Sequence, residues 1–127
     1  MSDDEGQALV EFALVLPVLL LVTFLLLVVG QIGLDRLVLE HGAAEGARNG
    51  SLTNDDEQIR RAVGGAVRPL DPQRVAVAIE PDRAGRGRAS LLTVRVSYRE
   101  PMPLGFVGLS GLTLTASATR LIEWYPT

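Results

Sequence analysis

The feature that most constrains this chain is the run from Phe12 to Gly30, FALVLPVLLLVTFLLLVVG, which carries no charged residue. Wound as an α-helix at 1.5 Å per residue it extends about 28 Å, close to the thickness of a bilayer hydrocarbon core. A chain of 127 residues that commits this segment to a membrane has room for one further small domain, not for two full cores. A cleaved secretory signal has a basic start, a shorter apolar stretch and a small-residue exit site, whereas Met1 to Gly6 is acidic and the run is long. The expectation is therefore a retained, single-pass membrane helix.

Composition excludes more than it assigns. A net charge of -3 gives no reason to expect nucleic acid or anionic lipid as a partner. With 0 Cys, disulfides and thiolate metal sites are ruled out, and cysteine usage does not report the compartment. His41 is the only histidine, so no His-based metal cluster can form, and its position on a helix face beside Glu45 reads as structural. Asp55, Asp56 and Glu57 read as the acidic first turn of a helix, favoured by its dipole, rather than as a cation site. Arg83, Arg86 and Arg88 sit in a glycine-containing stretch without a phosphate-cradle motif or interleaved aromatics, which reads as a solvated turn. No catalytic arrangement emerges; the expectation is no enzyme, no cofactor and no small-molecule substrate.

The preface to the apolar run is more telling. In Asp4-Glu5-Gly6-Gln7-Ala8-Leu9-Val10-Glu11-Phe12 a carboxylate stands inside the hydrophobic stretch. Insertion scales charge about 2.5 to 3.5 kcal/mol for an acid at a helix centre and less toward the ends. Taken alone, Glu11 has two readings. It can reach the interface and interact favourably with the positive end of the helix dipole, or it can be an intramembrane acid with a function.

Gly6, a polar residue, apolar residues, then Glu11 and Phe12 resemble the processing site of type IV pilin-like proteins. That resemblance implies cleavage by a prepilin peptidase between Gly6 and Gln7, with the hydrophobic segment left on the mature chain as its assembly domain. The new amine of Gln7 would be cationic, with a pKa around 8, and would lie one helical turn from Glu11. It could neutralise that carboxylate within one subunit or across to the next, where an unpaired charge in a low-dielectric bundle is costly.

Extended further, Gly6-Gln7-Ala8-Leu9 followed by Val10-Glu11-Phe12-Ala13-Leu14-Val15-Leu16-Pro17, and Glu45-Gly46-Ala47-Arg48 after a helical spacer, resemble the TadE/TadG-like family of tight-adherence (Flp-type) pilus proteins. The resemblance covers roughly the first 45 residues, about a third of the chain. Asp3, Asp4 and Glu5 stand where basic residues are common in the family, and Ala44 where Arg is frequent. The flanking charges run against the family topology, since no Lys or Arg precedes the span and Arg36 follows it. Long tails translocate largely regardless of charge, and the resemblance implies a C-terminal domain outside the cytoplasm, anchored in the cytoplasmic (inner) membrane.

Beyond Gly30 the helical pattern is expected to persist, with Leu34, Leu37, Val38, His41 and Ala44 on one face and Asp35, Arg36 and Glu40 opposite. Arg36 and Glu40 are spaced for an exposed pair. Gly42 and Gly46, with Ala43 and Ala47, permit close approach of a second element, either in this chain's own domain or in a neighbouring subunit. Pro17 removes a backbone donor and marks a site where the membrane helix can kink. Asn49-Gly50 is a turn signal expected to end the first helix; Asn54 is expected to cap a second, with Glu57 completing a capping box. Ile59, Ala62, Val63, Ala66 and Val67 form its apolar face and Pro69 closes it.

The remainder alternates at period two. Val75, Val77 and Ile79 predict one strand, Leu92, Val94, Val96 and Tyr98 a second, and Leu112, Leu114, Ala116 and Ala118 a third. Connections are expected at Pro81 to Arg88 and Pro101 to Gly111. The apolar stretch Leu104 to Leu109, with Trp124 and Tyr125, predicts contact with this domain's own core or with a partner.

The expected architecture is α+β: a leader at 1–6, a transmembrane and extended helix at 7–48, and at 49–127 a small extracytoplasmic head with one helix packed on a three-stranded antiparallel sheet. The expected role is a pilin-like assembly subunit of a tight-adherence pilus or related secretion apparatus. Its partners would be a prepilin peptidase and other pilin-like subunits in a homo- or hetero-oligomer. The processing site is Gly6 and Gln7, the charge pair Gln7 and Glu11, and the helix-packing positions Phe12, Pro17, Gly42 and Gly46. The resemblance favours a minor subunit. The rival is a membrane-tethered binding module of the envelope that never polymerises.

Overall fold

A computed structural model describes residues 3–87, 89–104 and 109–123. The elements follow in the order α1 (Asp3–Thr53), α2 (Asp56–Ala66), β1 (Val75–Glu80), β2 (Leu91–Leu104) and β3 (Leu109–Leu121), with a short 3-10 turn at Pro72–Arg74 before β1. The three strands form one antiparallel sheet in the order β1-β2-β3. The α+β class, the long apolar helix, the second helix and the three-stranded sheet are those the sequence predicts.

Contacts divide the chain between Gly33 and Leu34 into two units. The first consists of the N-terminal part of α1, which is long and apolar enough to cross a membrane; none of its most apolar window is buried within the protein. The second unit carries the core.

In that unit the buried apolar side chains include Leu39 from α1, Ile59 and Val63 from α2, Leu92, Val94, Val96 and Tyr98 from β2, Leu114 and Ala116 from β3, and Ile122 just beyond it. The alternation of β2 places every even-numbered residue from Leu92 to Glu100 on the inner face. Its opposite face is polar, with Thr93 and Thr119 hydrogen-bonded at 2.9 Å across strands. Register pairs Val77 with Val96 and Val96 with Ala116, so the apolar rows of all three strands coincide.

Four local expectations are corrected. The first concerns the buried face of α1. Leu34 and Leu37 are about 60% exposed, and His41 and Ala44 face solvent; the buried residues are Asp35, Leu39, Gly42, Ala43, Gly46, Ala47, Gly50 and Ser51. Small residues line the contact because α2 and β2 press directly on the helix backbone. A Cβ on Gly42 would come within 2.5 Å of Val67 Cγ1, and one on Gly46 within 2.5 Å of Val63 Cγ2 and 3.1 Å of Val94 Cγ1.

The second correction follows from the same contact. Asn49-Gly50 lies within α1, not at its end, because Gly50 continues the small-residue stripe against Leu92 and Ile59. The helix ends where Asn54 turns left-handed, at φ 50, its N–H donating to Gly50 O at 2.8 Å. Asn tolerates this conformation better than most residues with a side chain.

Third, the cap of α2 is therefore Asp55, not Asn54. Its backbone is extended, and its Oδ1 accepts from the Glu57 N–H at 3.0 Å. Replacing Asp55 with Ala leaves that donor unpaired and is expected to cost about 1 kcal/mol, read as a fall in the urea midpoint of the full-length protein.

Fourth, the connection expected from Pro101 to Gly111 is largely strand. β2 reaches Leu104 and β3 begins at Leu109, with Pro101 opposite Gly111 and a register irregularity between Pro101 and Leu104. Pro101 and Pro103 lack the N–H that a regular ladder needs, and a bulge absorbs the defect. Residues 105–108, Trp124 and Tyr125, on which the expected apolar contact rests, lie outside the described residues.

Candidate assembly site

The processing and pairing residues all lie on α1. Gly6, Gln7, Glu11, Phe12 and Pro17 occur in its first turns and the start of the apolar run. Gly6 is half-buried, while Gln7, Glu11 and Phe12 are exposed. Gln7 and Glu11 are four residues apart on a continuous helix, hence on one face and one turn apart. Among the described residues no cation forms an ion pair with Glu11. Pro17 is accommodated inside the helix. Further along, Thr23 returns its hydroxyl to the Leu19 carbonyl at 2.8 Å, as such residues do in apolar helices.

Gly42 and Gly46 belong to the other unit and are covered there by α2 and β2 of this chain. Arg36 and Glu40 form the exposed pair that their spacing predicts, at 3.5 Å.

Two polar clusters of the C-terminal unit were not read from the sequence. One is an ion pair between Arg86 and Asp56 that ties the β1–β2 connection to the first turn of α2. The Arg86 side chain is fully buried, and its Nε and Nη1 have no partner among the described residues. The expectation of a solvated arginine turn is thus corrected at Arg86, whose side chain is buried against Asp56, while Arg83 stays exposed; Arg88 lies outside the described residues. The other cluster joins Asp35 of α1 to Glu100 of β2, which are 7% and 6% exposed and hydrogen-bonded to each other. Burial, then the hydrogen bond with Asp35 and that group's charge, push the Glu100 carboxyl up to about 7, against a smaller opposing effect of Arg74. Nearby, burial raises the Tyr98 phenol above its ordinary value.

Among the described residues no three His, Cys, Asp or Glu side chains are placed to hold a metal ion. A groove of about 260 Å³ between α2 and β1 is lined by Arg60, Val63, Val67, Leu70 and Val77 among others, with no acid, histidine or nucleophile.

One helix long and apolar enough to cross a membrane, followed by a small α+β unit, defines a class of membrane-anchored protein. Within it, the family model for TadE-like proteins matches residues 6–48, so the N-terminal third of this chain is TadE-like. The match points to a Tad pilus-associated protein, and the TadE-like family is a structural one. Searches of curated proteins and of solved structures found no match to this chain.

Proposed function

We propose that this protein is a pilin-like assembly subunit, cut by a prepilin peptidase after Gly6 and inserted laterally through its apolar helix into a bundle of similar helices. The observation that carries this reading is the placement of Glu11. It is the only acid between Gln7 and Gly30, one helical turn from the amine that cleavage would create on Gln7. Ionised in hydrocarbon, such a carboxylate is costly; beside a cationic amine it becomes a register mark between subunits. The remaining helix surface is largely exposed apolar side chains, with Leu9, Val10 and Phe12 at its start, suited to packing against lipid or like helices.

In this reading residues 1–6 are the leader, 7–48 the membrane and extended helix, and 49–127 the head, held outside the cytoplasmic membrane and offered to other pilus components.

Intact-mass measurement on the protein purified from its native host tests the processing step. A chain beginning at Gln7 is the expected result. A chain beginning at Met1 or Ser2 removes the amine from the scheme and favours a tethered, non-polymerising module. Independently, Glu11→Gln is expected to reduce incorporation into the native assembly at least about tenfold, equivalent to about 1.4 kcal/mol of lost pairing, without lowering the membrane-inserted amount. Unchanged incorporation would sink the pairing role.

A further inference from the structure

We propose that Asp35 and Glu100 form a proton-dependent clasp between α1 and the sheet, closed while the two carboxyl groups share a proton and loosened when it is lost. The geometry is that of two acids on separate elements, each more than nine-tenths buried, meeting through a side-chain hydrogen bond. Neither carboxylate can donate, so the bond requires a proton between them. Glu100 Oε2 has no partner among the described residues, which leaves an ionised Glu100 without the hydrogen bonds that would compensate its burial.

The described groups around Glu100 do not supply that compensation. From the 3-10 turn comes Arg74, the cation acting on Glu100, but its Nε faces Asp71 at 3.7 Å and its Nη1 donates to the Arg99 carbonyl at 3.4 Å. From β2 comes Tyr98, itself hydrogen-bonded with the backbone of Asp71. β3 places uncharged Leu112 opposite Glu100. On α1 the neighbouring Arg36 is paired with Glu40 in solvent. One proton is thus the main neutralising agent for Glu100.

The direction of the effect follows from the raised acid. In the unfolded chain Glu100 titrates near the ordinary 4.5, in the folded protein near 7. The stability conferred by the bound proton is full below the lower value and is lost as pH rises through the higher one. Asp35 is the first buried residue of α1 in the C-terminal unit, so loss of the proton acts where the helix enters that unit. The clasp would let pH set how firmly α1 is held to β2, independently of any processing at Gly6.

The test uses the full-length protein in nanodiscs. Amide exchange of the Leu34–Leu39 and Tyr98–Glu100 segments, corrected for the intrinsic pH effect, is expected to show protection falling at least about tenfold between pH 5.5 and 8.5. Glu100→Gln, whose amide donates to Asp35 without a titrating proton, is expected to remove that dependence. Parallel profiles for the two proteins would overturn the clasp. Should the variant fail to fold, carbon NMR of the wild-type Glu100 carboxyl decides: a midpoint near 7 supports the proposal, and one near 4.5 refutes it.

Discussion

Gly46→Val is expected to destabilise the C-terminal unit by about 3 kcal/mol or more, a large part of what a unit of this size possesses. The added Cβ alone would meet Val63 Cγ2 at 2.5 Å and Val94 Cγ1 at 3.1 Å. Both neighbours are β-branched and stiff at χ1, so neither methyl can swing aside without moving its own backbone. One belongs to α2 and the other to β2, and relief for α1 therefore means separating it from both. Gly46→Ala tests the same contact more gently: up to about 1 kcal/mol of improved helix propensity offsets the clash only in part. Gly64 is the matched control. It too lies inside a helix, but a Cβ there meets nothing within 4 Å, and Gly64→Ala is expected to stabilise by about 0.5 to 1 kcal/mol. Free energies from exchange of the slowest β2 amides, measured on the intact protein, separate the two glycines. Equal effects would show that propensity, not the close approach, governs Gly46.

This contact also explains which parts of the fold the sequence could and could not declare. The strands were legible because each has one buried face, so Leu92, Val94 and Val96 recur at period two and nothing else fits them. α2 was legible for the same reason at helical spacing, through Ile59 and Val63. The buried side of α1 beyond the apolar run was legible only in part: Gly42, Ala43, Gly46 and Ala47 marked a close approach, but hydrophobic periodicity weighs side-chain size, and the face that packs most tightly is the one with the least side chain. Leu34 and Leu37 drew the apolar face to the wrong side of the helix, and Gly50 was taken for part of a turn. The error at Asn49-Gly50 has the same origin: a turn signal and a packing stripe use the same residue, and only the presence of Leu92 and Ile59 distinguishes them.

The candidate site divides along similar lines. Gly6, Gln7 and Glu11 could be proposed from sequence alone because the chemistry that the resemblance implies is local: the bond to be cut, the acid and one helical turn all lie within one short segment. Asp35, Glu100 and Arg86 could not, because each is defined by a partner distant in sequence. One signal was nevertheless present. Glu100 continues the even-numbered inner row Leu92, Val94, Val96, Tyr98, and an acid in register with a buried row asks for a partner. Asp35 offered no such hint, since on α1 it sits beside Arg36 in what reads as a polar face.

Arg86 supplies the second large effect. Asp56→Ala is expected to cost about 2 kcal/mol, because it leaves a guanidinium that is fully buried without its counterion. The figure is below the usual cost of breaking a buried pair because the Asp56 side chain is 41% exposed and water already screens part of the attraction. Removing the other partner should behave differently. Arg86→Met keeps much of the buried volume, discards the desolvated charge along with the unpartnered Nε and Nη1, and releases Asp56 to solvent, where it still favours the first turn of α2. That variant is expected to lie within about 1 kcal/mol of wild type, or above it. Urea midpoints of both single variants and of the double variant close the cycle. An asymmetry, with Asp56→Ala far more damaging than Arg86→Met, means that the pair exists to neutralise a buried arginine rather than to bind the loop to the helix. Equal losses would mean that the ion pair itself fastens the β1–β2 connection onto α2.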